Sequence, residues 1–166
     1  DVRQLWRRML FNLLINNGGG SFTVGAAIGP AGATTSLAVS YADLDGDALP
    51  DLMIGGTNPQ MGWYKNLGGG HYGPQQAVNP LAQPSTPVCA DVDGDGDNDL
   101  IGFGLPGGTV WFSNDGTGIF SLGDTIPSTM PEAFGDFDGD GDVDFTAPSG
   151  NSCDVKMLRN DNGLNW

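Results

Sequence analysis

The chain has 166 residues with 28 glycines and only 16% charged side chains, yet 39% of it is hydrophobic, in short regular runs. That excludes a disordered tail and favours turn-rich β structure over helices, at a length sufficient for one domain with a real core. The net charge of −14 is local: fourteen of the twenty acidic residues lie in three short segments, and the six acids and six bases elsewhere cancel. No basic stripe is present to hold nucleic acid.

In chain order, Val2 to Leu10 carries Arg3, Arg7 and Arg8 with little β character and reads as a helix or an exposed arm. The apolar stretch Met9 to Ile15 is short and is broken by Asn12. It falls well below the roughly 20 residues a membrane-spanning helix needs. Asn16-Asn-Gly-Gly-Gly-Ser-Phe22 follows and reads as a glycine turn, leading into a strand over Phe22 to Ile28. Ser36 to Ala42 alternates, with Leu37, Val39 and Tyr41 on one face, and predicts a strand. It enters Asp43-Leu-Asp-Gly-Asp-Ala-Leu-Pro-Asp51.

Both phrases then recur. The aspartate phrase returns as Asp91-Val-Asp-Gly-Asp-Gly-Asp-Asn-Asp99 and Asp136-Phe-Asp-Gly-Asp-Gly-Asp-Val-Asp144. The glycine phrase returns as Asn66-Leu-Gly-Gly-Gly-His-Tyr72 and Asn114-Asp-Gly-Thr-Gly-Ile-Phe120, and in decayed form as Asn160 to Trp166. The aspartate loops start 48 and 45 residues apart and the turns 50, 48 and 46 apart, the period of one four-stranded propeller blade. Between the phrases lie predicted strands B (Asp51–Ile54, Asp99–Phe103, Asp144–Ala147) and C (Gly62–Lys65, Val110–Ser113, Val155–Leu158). The predicted fold is all-β, one repeat domain over 1–166, with blades at about 1–32, 33–80, 81–127 and 128–166. The first and last blades are partial, giving about three and a half blades. Asp1 falls at the register of a ninth loop residue. The expectation is therefore an internal piece of a longer propeller, or identical chains that complete one another through open blade edges.

So many carboxylates in so tight a loop point to a hard cation. Calcium takes 6–8 oxygens in flexible geometry, and short alternating aspartates turn toward one centre. The expected side-chain ligands are Asp43, Asp45, Asp47 and Asp51; Asp91, Asp93, Asp95 and Asp99; and Asp136, Asp138, Asp140 and Asp144. The carbonyls of Leu49, Asp97 and Asp142 complete the three Ca2+ sites. Gly46, Gly94 and Gly139 at position four let the chain reverse. An EF-hand is excluded, because position twelve is Ile54, Gly102 or Ala147 rather than glutamate and the flanks read as strands. Magnesium prefers to keep waters in a strict octahedron, and zinc wants thiolate or imidazole ligands.

Loop, strand and glycine turn together resemble the FG-GAP/VCBS repeat of integrin α-subunit propellers, secreted bacterial proteins and some fungal lectins. The resemblance implies a β-propeller with calcium in the loop between strands A and B, outside the cell. It leaves function open among an adhesion or structural module, a carbohydrate-binding lectin and a non-catalytic appendage to a secreted enzyme. The expected partner is a protein or glycan outside the cell, with no nucleic acid and no membrane span. No catalytic constellation is expected, since His71 is the single histidine and Glu132 the single glutamate. His71 reads as a solvated turn residue. The adjacent pairs Trp63-Tyr64 and Trp111-Phe112 place one aromatic between blades and leave the other as core or as a sugar-stacking surface. Cys89 and Cys153 either bridge neighbouring blades or stay as two buried thiols.

Overall fold

The computed structural model describes residues 11–29, 37–56, 61–78, 86–105, 108–126, 133–148 and 154–161. Asp1, the Val2–Leu10 segment, Glu132, Cys153 and the end of the last turn, 162–166, lie outside them. The described residues form strands and connecting turns without a helix. Among them no helix is long and apolar enough to cross a membrane.

The strands appear where period-two runs end in aspartate loops or glycine turns. β1 (Phe11–Gly18) and β2 (Ser21–Ile28) make a hairpin. β3 (Leu37–Ala42), β4 (Asp51–Gly56), β5 (Gly62–Asn66) and β6 (Tyr72–Ala77) form a four-stranded antiparallel meander. β7 (Thr86–Ala90), β8 (Asp99–Leu105), β9 (Gly108–Asn114) and β10 (Phe120–Ile126) repeat it. β11 (Ala133–Gly135), β12 (Asp144–Pro148) and β13 (Val155–Leu158) begin a third copy. These are propeller blades in the predicted A-B-C-D order, and they do not close into a barrel.

A four-stranded sheet has two faces, and each one here finds its cover in the neighbouring sheet. On β4, Leu52 and Ile54 pack toward the β1–β2 hairpin, with Tyr64, Tyr72, Leu13 and Ile28. Met53 and Trp63 point the other way, against Leu100, Phe112 and Phe120 of the next sheet. The pattern then repeats one blade on, where Ile101, Trp111 and Ile126 meet Phe145, Phe134 and Leu158. Alternation along each strand thus loads both faces, as a stack of sheets requires.

Both members of each aromatic pair are therefore buried: Trp63, Tyr64, Trp111 and Phe112 are all at most 5% exposed. The sugar-stacking alternative for these residues fails, because neighbouring blades cover both faces of strand C. The glycine turn contributes to the same packing. Gly118, at φ +81°, lies so close to the Trp63 ring that a Cβ there would overlap a ring carbon. Any side chain would have to displace the indole.

Strand β3 departs from the simplest expectation. Val39 and Tyr41 do share a face, but Tyr41 is 74% exposed. Their register equivalents in β7, Pro87 and Cys89, have the preceding sheet to lie against. Among the described residues, β3 has no such strand on that side. Cys89 is a free thiol packed on the core beside Ser40, and burial pushes it up to about 11. A bridge to Cys153 lies outside the described residues.

Candidate metal centres

Each aspartate loop closes a hairpin between strands A and B. The residue before the loop pairs with the ninth loop residue: Ala42 with Asp51, Ala90 with Asp99 and Gly135 with Asp144. All three ninth-position aspartates are fully buried. One oxygen of each accepts the N–H of position two, from Leu44, Val92 or Phe137, at 2.9–3.1 Å. The other accepts the N–H of the turn asparagine, Asn66, Asn114 or Asn160, at 2.7–2.9 Å. One buried carboxylate thereby ties loop, strand B and the C–D turn together.

The first position wraps the loop around itself. Asp43 accepts the N–H groups of Gly46 and Ala48, Asp91 those of Gly94 and Gly96, and Asp136 those of Gly139 and Gly141. That geometry needs left-handed backbone at positions four and six. Position four is always glycine, at φ +74° to +85°. Position six is glycine in the second and third loops, but Ala48 occupies it in the first at φ +66°. Position five accepts the N–H of position seven, in the pairs Asp47–Leu49, Asp95–Asp97 and Asp140–Asp142.

The loops bring positions one, three and nine together. In Asp43/Asp45/Asp51, Asp91/Asp93/Asp99 and Asp136/Asp138/Asp144, one oxygen from each residue lies within 4.8 Å of the others. Position five stands outside these triads, although Asp140 joins Asp138 and Asp161 in a further exposed group. At position seven, the Asp97 carboxylate lies against Gly116 and that of Asp142 near Gly94.

The donor set suits a hard divalent ion. It is all oxygen, and it is flexible enough for calcium. Asp45 Oδ1 and Asp93 Oδ1 are buried with no hydrogen-bond partner, an arrangement that is costly unless a cation supplies the missing contact. Burial raises Asp51, and it pushes Asp99 up to about 6 from the ordinary 3.8. Burial likewise raises Asp93, helped by the neighbouring charge of Asp95.

Two features escaped the sequence reading. Lys65, at the end of strand C, places its ammonium on Asp45 and lies 2.9 Å from Asp47. Arg159, one residue before Asn160, pairs with Asp138, Asp140 and Asp161. These bases therefore neutralise loop carboxylates instead of balancing only the scattered acids. The signal was positional: each stands directly before a turn asparagine.

The second feature is the asparagine itself. Asn114 Nδ2 donates to the Leu44 carbonyl of the preceding loop at 2.9 Å and to the Asn98 carbonyl at 3.0 Å. Asn160 Nδ2 reaches the Val92 carbonyl in the same way at 2.8 Å, and Asn98 Nδ2 reaches the Asp43 carbonyl at 3.0 Å. The sequence marks Asn114 and Asn160 only as turn residues and Asn98 only as a member of the second aspartate loop. His71, by contrast, is an exposed turn residue as expected.

Fold and site define a repeat protein built of stacked four-stranded sheets, each with an acidic hairpin loop at one end. The model of the FG-GAP-like repeat matches residues 43–102 and again 91–147, and the chain belongs to that family. A search among curated proteins finds no match.

Proposed function

We propose that this chain is an extracellular calcium-binding repeat module serving adhesion or structural assembly, with Ca2+ holding the A–B loop of each blade. The observation that carries the reading is the threefold convergence of positions one, three and nine, with orphaned buried oxygens at Asp45 and Asp93. Asp47, Asp95 and Asp140, with the carbonyls of Leu49, Asp97 and Asp142, would complete the coordination. Bound calcium would supply a divalent charge that offsets the repulsion among these carboxylates, so that ion binding adds to folding stability. The family is generally non-catalytic, which supports a binding role over an enzymatic one. Burial of Trp63, Tyr64, Trp111 and Phe112 removes the aromatic platform on which the lectin reading rested.

The test is thermal melting with calcium, with magnesium and with excess chelator. Calcium at 100 times its dissociation constant stabilises by about 2.7 kcal/mol per site. The melting temperature should therefore fall by at least several degrees on chelation, and magnesium should restore it poorly. A melt that is identical in calcium and in chelator overturns the reading.

A further inference from the structure

The three loops share one backbone plan but differ in what faces position three. From Asp45, twenty residues on, stands Lys65; from Asp93, twenty on, stands Ser113; from Asp138, twenty-one on, stands Arg159. All three stand immediately before the turn asparagine, Lys65 and Ser113 in the last part of strand C and Arg159 just past it, so the fold aims each at its own loop. Lys65 engages Asp45 and Asp47. Arg159 engages Asp138 through Nε. Ser113 offers only a hydroxyl, 3.4 Å from Asp93 Oδ2. Among the described residues, no basic side chain pairs with the second loop.

We propose that the three ion sites form a graded series set by this one strand-C position, with the second loop filling first. The inference rests on the calcium reading above. A divalent ion entering the second loop meets carboxylates with no basic side chain paired to them among the described residues, and Asp93 Oδ1 is buried and unpartnered. An ion entering the first or third loop must share position three with a cation already there, or displace it. A unit positive charge a few ångströms from a divalent ion at high effective dielectric opposes binding by roughly a factor of ten. Lys65 and Arg159 thus act as resident cations that let these loops persist at low calcium and set a higher threshold for loading. The second loop, without such a residue, depends on the ion most.

The experiment is calorimetric titration of the folded chain with calcium chloride at fixed ionic strength. Wild type should take up one ion tightly and two about tenfold more weakly. Asp93→Asn should abolish the tight class, which places it in the second loop. Lys65→Met, which keeps the aliphatic stem, should move one weak site about tenfold tighter. Ser113→Lys should weaken the tight class by a similar factor. Should Lys65→Met fail to fold by circular dichroism, Ser113→Lys decides alone. Three equal sites in wild type, or unchanged affinities in a folded Ser113→Lys variant, overturn the graded series and leave the calcium reading standing. No calcium uptake by wild type in calorimetry or equilibrium dialysis overturns both.

Discussion

The interface between the second and third sheets and the outward faces of the end sheets are made of the same kind of strand, yet only one is a core. Between the sheets, Met53, Trp63, Leu100 and Phe112 are almost wholly buried. At the ends, the register equivalents of buried residues stand open. Leu14, in the place of Tyr64, is 59% exposed, and Met157, in the place of Trp63 and Trp111, is 48% exposed. A blade of this family therefore buries little by itself. Its core is shared, and stability accumulates as neighbouring sheets cover one another.

The sharpest way to break the comparison is Phe112→Ala, which opens a cavity where two sheets meet. It should cost about 3–5 kcal/mol in urea unfolding. Met157→Ala on the open face should cost less than about 0.5 kcal/mol. Similar losses at the two sites would show that the sheets are stable one by one. Next in size is Asn114→Ala, which leaves the buried Leu44 carbonyl and the part-buried Asn98 carbonyl without their donor and the Gly118 N–H without its acceptor, at about 2 kcal/mol. Asn66→Ala removes side-chain bonds to the exposed Pro50 carbonyl and to the Gly68 N–H, both within its own blade, and should cost less than half as much.

A pH series sharpens the contrast within the loops. Asp99 titrates near 6 in the folded protein, above its ordinary 3.8, because burial disfavours its charge. The folded state therefore binds the proton more tightly than the unfolded chain. This contribution to stability is present below about pH 4 and is lost as pH rises through about 6. Ion-free protein should melt lower at pH 7 than at pH 5, and calcium should remove the difference. Asp99→Asn should flatten the ion-free profile. A modest effect of opposite sign is expected at Ala48, the one non-glycine residue described with positive φ. Ala48→Gly should stabilise the ion-free protein by about 1 kcal/mol, because the left-handed strain of a Cβ is relieved. The same change is not open to Gly96 or Gly141, which already have the favoured residue.

Much of this architecture was written in spacing. The aspartate and glycine phrases located the A–B hairpins, the C–D turns and the strands between them. The aspartate triads were legible because loop geometry is local: positions one, three and nine meet whatever lies beyond the hairpin. The face of a strand was legible but its burial was not. Tyr41 alternates correctly, yet its exposure depends on a neighbouring sheet that the period-two pattern cannot see. Lys65 and Arg159 look like background charge in the sequence because their loop partners Asp45 and Asp138 lie about twenty residues upstream, across two strands. The asparagine contacts were the least legible, since Asn114 and Leu44 are seventy residues apart.

Those asparagine contacts also give the stack a direction of assembly. The carbonyls of Asp43, Leu44 and Val92 belong to loops completed earlier in the chain, and their donors Asn98, Asn114 and Asn160 arrive later. During synthesis from the N-terminus, each finished hairpin offers acceptors that the next sheet needs in order to dock. A loop that closes late delays the seating of every sheet that follows it.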